Sequence, residues 1–527
     1  MFLVSFILQF LGIAERWKQV VAYHYTGRSM NGASLKNLIT QIVTKAFSIG
    51  LNVVAVTSDM GPGNQALWRE FGVHSKRESI SSSALINGAN IHFLADIPHV
   101  VKNLCTAFLK HRKIILSENV CSTFNLVSNE VSIAHIEDLV NFQDGKSLKL
   151  TPKLTKETLT STSHFKKMNV STALHVFSNA VAAGLRYLVE KEGRSKDYLT
   201  TAWFVKFVDS WFELTTSRHP VMALSTKKRD VYIRARQTLS DFMDITQSMQ
   251  IGERAVWKPV QSGILLSSLS ILHLCDELLN TKLDFLLTSR LTQDCVENLF
   301  SLVRSKNPTP TAREFKYALK IICTAQYLKE IKSSNYQQYD REYLGELLPT
   351  EIVPLQECIG LDVHELAASL SNAKEESLYY LAGYCVRSLG KLKQLCTECI
   401  ESLKHTDCVP HPKSSLLRFK NFKDGALLEV KSDVYEQFRK WEGIVKSLQR
   451  RLKDPKIVLT MNQQCLLETD SSVFSTRKCH PVLERLVAKF ISVRIHIMCK
   501  EATDATAARG VSLGSRSMAM RDLILKV

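Results

Sequence analysis

Asp59 ends an apolar, β-branched run (Val53, Val54, Ala55, Val56) and is followed at once by the turn Gly61-Pro62-Gly63. An acid at the carboxyl end of a buried strand, ahead of a tight glycine turn, is where α/β folds hold catalytic or metal-binding groups. The same acid can instead do no more than accept hydrogen bonds from the turn amides. Asp96 repeats the arrangement after the apolar run 90–95, ahead of Ile97-Pro98-His99. Asp294 and Glu297 stand three apart on a predicted helix over 293–304. Carboxylates at that spacing repel each other, so they either lie on a solvated face or have a cation beside them, a basic side chain or a metal. Cys396 and Cys399, with Cys408 and His411 further on, have the ligand types and spacing of a small structural zinc site; separate thiols are the alternative.

The elements that must position these groups follow from periodicity. Apolar runs at 2–10 and 19–25 predict an antiparallel strand pair. Leu35, Leu38, Ile39, Ile42, Val43 and Ala46 recur at helical spacing, predicting a helix over 34–49 capped by Ser34. The run before Asp59 reads as a fully buried strand, 63–71 as a helix, and 90–95 as the next strand. Strand, helix, strand with short connections implies parallel neighbours in one sheet, which puts Asp59 and Asp96 on the same sheet edge. Beyond His99 the chain reads as helix almost throughout: one amphipathic helix from Val170 to Leu188, a long apolar one over 264–287, and the 293–304 helix burying Val296, Leu299, Phe300 and Val303. Towards the end come a helix from Ser432, with Phe438 and Trp441 on its stripe, and another opened by Pro481 through Leu486, Phe490 and Arg494.

Length allows roughly three domains. The charge of +17 and pI near 9.2 point to a polyanionic partner, nucleic acid first, with basic groups at Lys110-Arg112-Lys113, Lys227-Lys228-Arg229 and Arg234/Arg236. Thirteen scattered cysteines form no disulfide framework and suit a reducing compartment. The apolar start, 1–11, is too short to span a bilayer and lacks a basic lead, so no membrane partner is expected. No GKS/T loop is present, which argues against an ordinary P-loop nucleotide site.

Several stretches, taken in order, resemble the P-element-type transposase family and its THAP-type relatives. They are RWKQ (16–19) with AYHY, VVAVTSDMGPGNQALWREFGV (53–73), FLADIPHVVKNL (93–104), TPKLT (151–155), KKMNVSTALHVFSNAVA (166–182), LTQDCVENLFSLVRSKNPTPTAREFKYALK (291–320) and LYYLAGYCVR (378–387). The resemblance implies an α/β plus α architecture. An incomplete RNase H-like domain, a mixed sheet flanked by helices, is split by a mostly helical GTP-binding-type insertion and followed by a helical C-terminal region. The implied boundaries are 1–110 and 286–330 for the RNase H-like parts, 111–285 for the insertion, 331–502 for the C-terminal helices and 503–527 for a disordered tail.

In such transposases three carboxylates hold two divalent ions, Mg2+ or Mn2+, that cut and join DNA. By motif, Asp59 and Glu297 take the metal-binding and catalytic positions, and Asp96 a structural or DNA-channel role. The first-strand acid has no counterpart here: no aspartate precedes Asp59, and the chain is expected to begin after that strand. GTP contacts map onto Lys153, Lys167, Glu213, Thr216 and Asp294, with Glu213 and Thr216 standing where the family has Asp and Asn. The implied partners are DNA and a second copy of the chain, and the implied location is the nucleus. The alternative reading is a non-catalytic, domesticated interaction protein.

Overall fold

A computed structural model describes residues 4–15, 17–26, 31–145, 148–160, 170–279, 281–304, 307, 310–331, 371–391, 395–406, 409–421, 427–449, 457–474 and 480–508. The chain folds as two compact units. One comprises Met1–Ile136, Glu157–Ser178 and Lys196–Glu351; the other comprises Glu137–Lys156, Asn179–Ser195 and Ile352–Val527.

In the first unit, β1 (Val4–Leu11) pairs antiparallel with β2 (Lys18–Thr26), as the two apolar runs predict. Helix α1 (Gly32–Ser48) buries Leu35, Ile39, Val43 and Ala46. Its cap is Asn31 rather than Ser34: the Asn31 side chain accepts the Ser34 N–H at 2.7 Å. After β3 (Ala55–Ser58) and α2 (Pro62–Glu70) come β4 (Ser83–Ile86), β5 (Ala89–Ala95) and α3 (Ile97–His111). β5 is central, parallel to β3 with Ser58 opposite Ala95, and antiparallel to β4. The sheet is therefore mixed. β3 is only half-buried along Ala55–Thr57, against the expectation of a fully buried strand. The reason is that β5 covers one of its edges, while the other borders a cavity of about 480 Å³ that β1 also lines.

The helices of this unit include α4 (Tyr198–Thr215), α5 (Arg229–Ser248), α6 (Pro259–Leu278), α7 (Asp294–Arg304) and α8 (Ala312–Ile331). Helix α6 carries few charges and is buried on most sides, as expected, but ends at Leu278 rather than near 287. It is joined to β5 by its serines. The Ser267 hydroxyl accepts the Ala95 N–H at 2.9 Å and donates to the Ala95 carbonyl at 2.8 Å, and Ser270 donates to the Phe93 carbonyl at 2.6 Å. The single helix predicted from Val170 to Leu188 is broken at Phe177-Ser178 into Val170–Val176 and Asn179–Glu192, which belong to different units.

The second unit is helical. Helices α9 (Asn372–Lys391), α10 (Thr397–Leu403), α11 (Ser432–Leu448) and α12 (Val482–Ala508) share a core around Leu378, Val386, Phe438, Trp441, Leu486 and Phe490. Helix α12 runs past residue 502 to Ala508, into the stretch expected to be disordered; 509–527 lie outside the described residues. Among the described residues no helix is long and apolar enough to cross a membrane.

Lys420 is buried in this unit, donating to the Leu150 carbonyl at 2.9 Å and lying 4.3 Å from the Tyr380 ring centroid. Burial pulls its ammonium down to about 8. A lysine lowered in the fold binds fewer protons folded than unfolded between pH 8 and its ordinary 10.5, so stability rises with pH across that window. The penalty is fully present at pH 7. In urea melts across pH 8 to 10, wild type is expected to gain up to about 1.4 kcal/mol per pH unit over Lys420→Met. Identical slopes in the two proteins would refute this.

Candidate metal and nucleotide site

Asp59 and Asp96 lie side by side at one end of the β3–β5 pair, with Asp294 close enough for its charge to act on Asp96. Because Ser58 lies opposite Ala95 in parallel register, Asp59 and Asp96 are the next residues of adjacent strands, and the Asp96 N–H donates to the Ser58 carbonyl at 2.9 Å. Asp96 is 2% exposed. Its Oδ2 accepts the His99 N–H at 3.2 Å, capping α3, and its Oδ1 accepts the Gln293 N–H at 2.7 Å, directly ahead of α7. The Thr57 hydroxyl donates to the Leu291 carbonyl at 3.0 Å. Two bonds thus pin the start of α7, the helix carrying Asp294 and Glu297, over the sheet edge. Burial raises the Asp96 carboxyl above its ordinary range; the Gln293 and His99 contacts oppose this and the nearby Asp294 charge adds to it.

Asp59 is half-buried. Its Oδ1 accepts the Gly61 N–H at 2.8 Å and the Asn64 side-chain amide at 2.8 Å. Turn capping therefore occupies one oxygen, while among the described residues Oδ2 takes no hydrogen bond. A Cβ at Gly61 would stand 2.9 Å from Oδ1, so a larger residue there would have to shift the Asp59 carboxylate. Gly263 of α6 plays a similar part behind the turn: a Cβ would strike the Met60 sulfur at 2.5 Å. Glu297 is exposed in the first turn of α7 and has no ion-pair partner among the described residues. Of the expected buried set on α7, Leu299 and Val303 are buried, whereas Val296 and Phe300 are half-buried. Among the described residues, no three Asp, Glu, His or Cys ligand atoms converge within 4.8 Å at this edge. Asp59 and Glu297 are two open carboxylates on adjoining elements.

The residues mapped to the nucleotide are brought together only in part. Arg218 binds Asp294 at 2.5 Å, a pair the sequence reading missed, so the cation that relieves the Asp294–Glu297 repulsion is a guanidinium. The Thr216 hydroxyl donates to the Phe212 carbonyl at 2.7 Å at the end of α4, and Glu213 is half-buried on that helix. Lys153 is exposed and belongs to the second unit, and Lys167 lies outside the described residues.

The basic groups are also partly spoken for. Lys227 pairs with Asp284 at 2.9 Å and Arg236 with Asp276 at 2.5 Å, while Lys228, Arg229 and Arg234 stay exposed. The proposed zinc set is corrected: His411 stacks on Tyr379, centroids 4.4 Å apart, and its Nδ1 accepts the Lys413 N–H at 3.1 Å. Burial pushes the His411 imidazole pKa down. Cys408 lies outside the described residues, and Cys396 and Cys399 are neighbours.

A mixed sheet with acids at its carboxyl edge, a late helix pinned to that edge and a largely helical segment between them define an RNase H-like domain carrying an insertion. Residues 4–72 match the family described as TNP-like, RNase H N-terminal domain, and 108–229 match TNP-like, GTP-binding insertion domain. The chain is 27% identical over 336 residues to the Transposable element P transposase of Drosophila melanogaster, covering 62% of this chain and 42% of that protein. It is 22% identical over 449 residues to DNA transposase THAP9 of Homo sapiens, covering 78% and 48%. It thus spans less than half the length of either relative. The Drosophila P element transposase strand transfer complex contains a chain that superposes with a TM-score of 0.52 at 22% identity, covering 62% of this chain and 71% of that one; this likeness concerns the fold. The chain is a relative of the P-element-type transposases, as its motifs predict.

Proposed function

We propose that this chain is a P-element transposase-derived, DNA-binding protein of the nucleus in which Asp59 and Glu297 hold a divalent ion, Mg2+ or Mn2+. The observation that carries this reading is the pinning of the Glu297 turn over the edge that bears Asp59, through Asp96 and Thr57. The Oδ2 of Asp59 and the Glu297 carboxylate, neither of which has a partner among the described residues, are hard oxygen donors of the kind that suit such an ion. When bound, the ion would supply positive charge at the oxygens that exchange in phosphodiester transfer. Asn64 and the Gly61 amide orient Asp59, and Asp96 positions α7 without joining the ion. Lys228, Arg229 and Arg234 contact phosphates, so affinity for DNA falls steeply with salt.

Two-ion strand transfer needs a third carboxylate. A strand laid along the open edge of β3, in the cavity shared with β1, would bring its last residue beside Asp59. On this reading 1–110 and 286–330 form the catalytic fold and 111–285 the insertion. GTP would be met by Lys153, Lys167, Glu213, Thr216 and Asp294, and would have to open the Arg218–Asp294 pair.

The test is Mn2+ binding by calorimetry and nicking of a supercoiled plasmid by the full chain. Wild type is expected to bind Mn2+, and Glu297→Gln to weaken that binding by at least about tenfold. Equal binding by the two proteins would overturn the assignment. The second reading, a non-catalytic interaction protein, is favoured by the absence of a third converging ligand among the described residues. Metal-dependent nicking that disappears in Glu297→Gln excludes it.

A further inference from the structure

We propose that Cys396, Cys399 and His480 of the second unit form a structural zinc site. Cys396 immediately precedes α10 and Cys399 lies in its first turn, while His480 and Pro481 lead into α12. The two sulfurs are 3.4 Å apart, and the Cys399 sulfur is 3.7 Å from His480 Nδ1. The three ligand atoms all lie within 4.8 Å of one another.

These separations exclude a disulfide and can be compared with those of a metal site. A disulfide would bring the sulfurs to about 2.05 Å. Two thiolates on a tetrahedral zinc, with bonds of about 2.3 Å, stand about 3.8 Å apart, and a thiolate and an imidazole nitrogen about 3.6 Å. The observed 3.4 Å and 3.7 Å are far outside a disulfide and within about 0.4 Å of the separations of ligands around one ion. Two sulfurs and an imidazole select a soft or borderline metal, zinc above all, and would reject the Mg2+ or Mn2+ proposed for the carboxylate edge.

Binding is acid–base chemistry with no change of oxidation state: each thiol gives its proton to solvent, and the histidine binds through neutral Nδ1. Three protein ligands leave a fourth position for a water or another side chain. The site lies on the rim of the core: Cys399 is 4% exposed, and Leu403 of α10 and Leu486 of α12 are buried in the same cluster. Zinc there ties the start of α10 to the start of α12 across 81 residues of chain. The short helix Thr397–Leu403 has few backbone bonds of its own, and this tie supplies what its length does not.

The test uses the full chain purified without chelator, with zinc measured by elemental analysis and Co2+ as the spectroscopic probe. One zinc per chain is expected, and Co2+ should give thiolate-to-cobalt charge transfer and the intense visible bands of a tetrahedral sulfur site. Cys399→Ser and His480→Ala should each lower zinc affinity at least about tenfold. Absence of the cobalt–thiolate bands in wild type would overturn the proposal. So would a wild-type mass showing an oxidised Cys396–Cys399 pair, or unchanged zinc content in both variants. Should the variants fail to fold, the wild-type cobalt titration still decides.

Discussion

Arg494→Met is expected to destabilise the second unit by about 3–5 kcal/mol, the cost of stranding a buried charge. Arg494 is 1% exposed and Glu442 fully buried. Nε and Nη2 of Arg494 donate to the two Glu442 oxygens at 2.7 and 3.0 Å, a side-on, two-bond pairing between α12 and α11. Neither charge has water to fall back on. Among the described residues Arg494 Nη1 finds no partner, so the pair is not fully satisfied and adds little net stability over apolar side chains. The double variant Glu442→Leu/Arg494→Met should therefore recover most of what the single one loses. Urea melts followed by the fluorescence of Trp441, whose ring packs on Phe490 of the same helix as Arg494, give the readout. A loss below about 1 kcal/mol for the single variant, or no recovery in the double, would refute the account.

Arg494 also shows what the sequence does and does not disclose. It falls on the apolar stripe Leu483, Leu486, Val487, Phe490, and Glu442 sits four residues after Phe438 on the facing stripe. Read as a pair of charges at core positions, they foretell a buried ion pair; the helical spacing puts Arg494 on the stripe but does not by itself name Glu442 as its partner. The β3–β5 edge was legible because each apolar run stops at an aspartate and a turn, and parallel order then fixes which end the acids share. The break at Phe177-Ser178 was not. Apolar spacing continues across it, since Val176 and Val181 are both buried, though in separate units. What stops the helix is a distant partner, for the Asn179 side chain donates to the Lys420 carbonyl at 2.8 Å. The same limit explains the cysteine site: nearness in sequence favours His411, but Tyr379 holds that ring, and the imidazole that meets Cys399 arrives from the start of α12. Asn31 outcompetes Ser34 as a cap because the helix starts one turn earlier than its apolar stripe.

Asp96→Ala is expected to cost about 2–4 kcal/mol, combining a lost helix cap of about 1 kcal/mol with an unpaired amide at Gln293 of about 1–3 kcal/mol. Its functional consequence separates two roles for this acid. If Asp96 were a metal ligand, Asp96→Asn would remove a charge from the ion, and binding would fall while the fold held. If it positions α7, the asparagine carbonyl can still accept one of the two amides, at Gln293 or at His99, but its NH2 cannot replace the second acceptor. Stability should then fall by about 1–2 kcal/mol, with metal affinity following only as far as the Glu297 turn loosens. The geometry favours positioning, because both Asp96 oxygens already accept backbone N–H groups, whereas among the described residues Asp59 keeps Oδ2 open. Measuring Mn2+ affinity and urea stability together on Asp96→Asn and Asp59→Asn resolves this. Asp59→Asn should lose affinity with little change in stability, and Asp96→Asn should do the reverse. A collapse of Mn2+ binding in Asp96→Asn at undiminished stability would make Asp96 a ligand and move the metal towards β5.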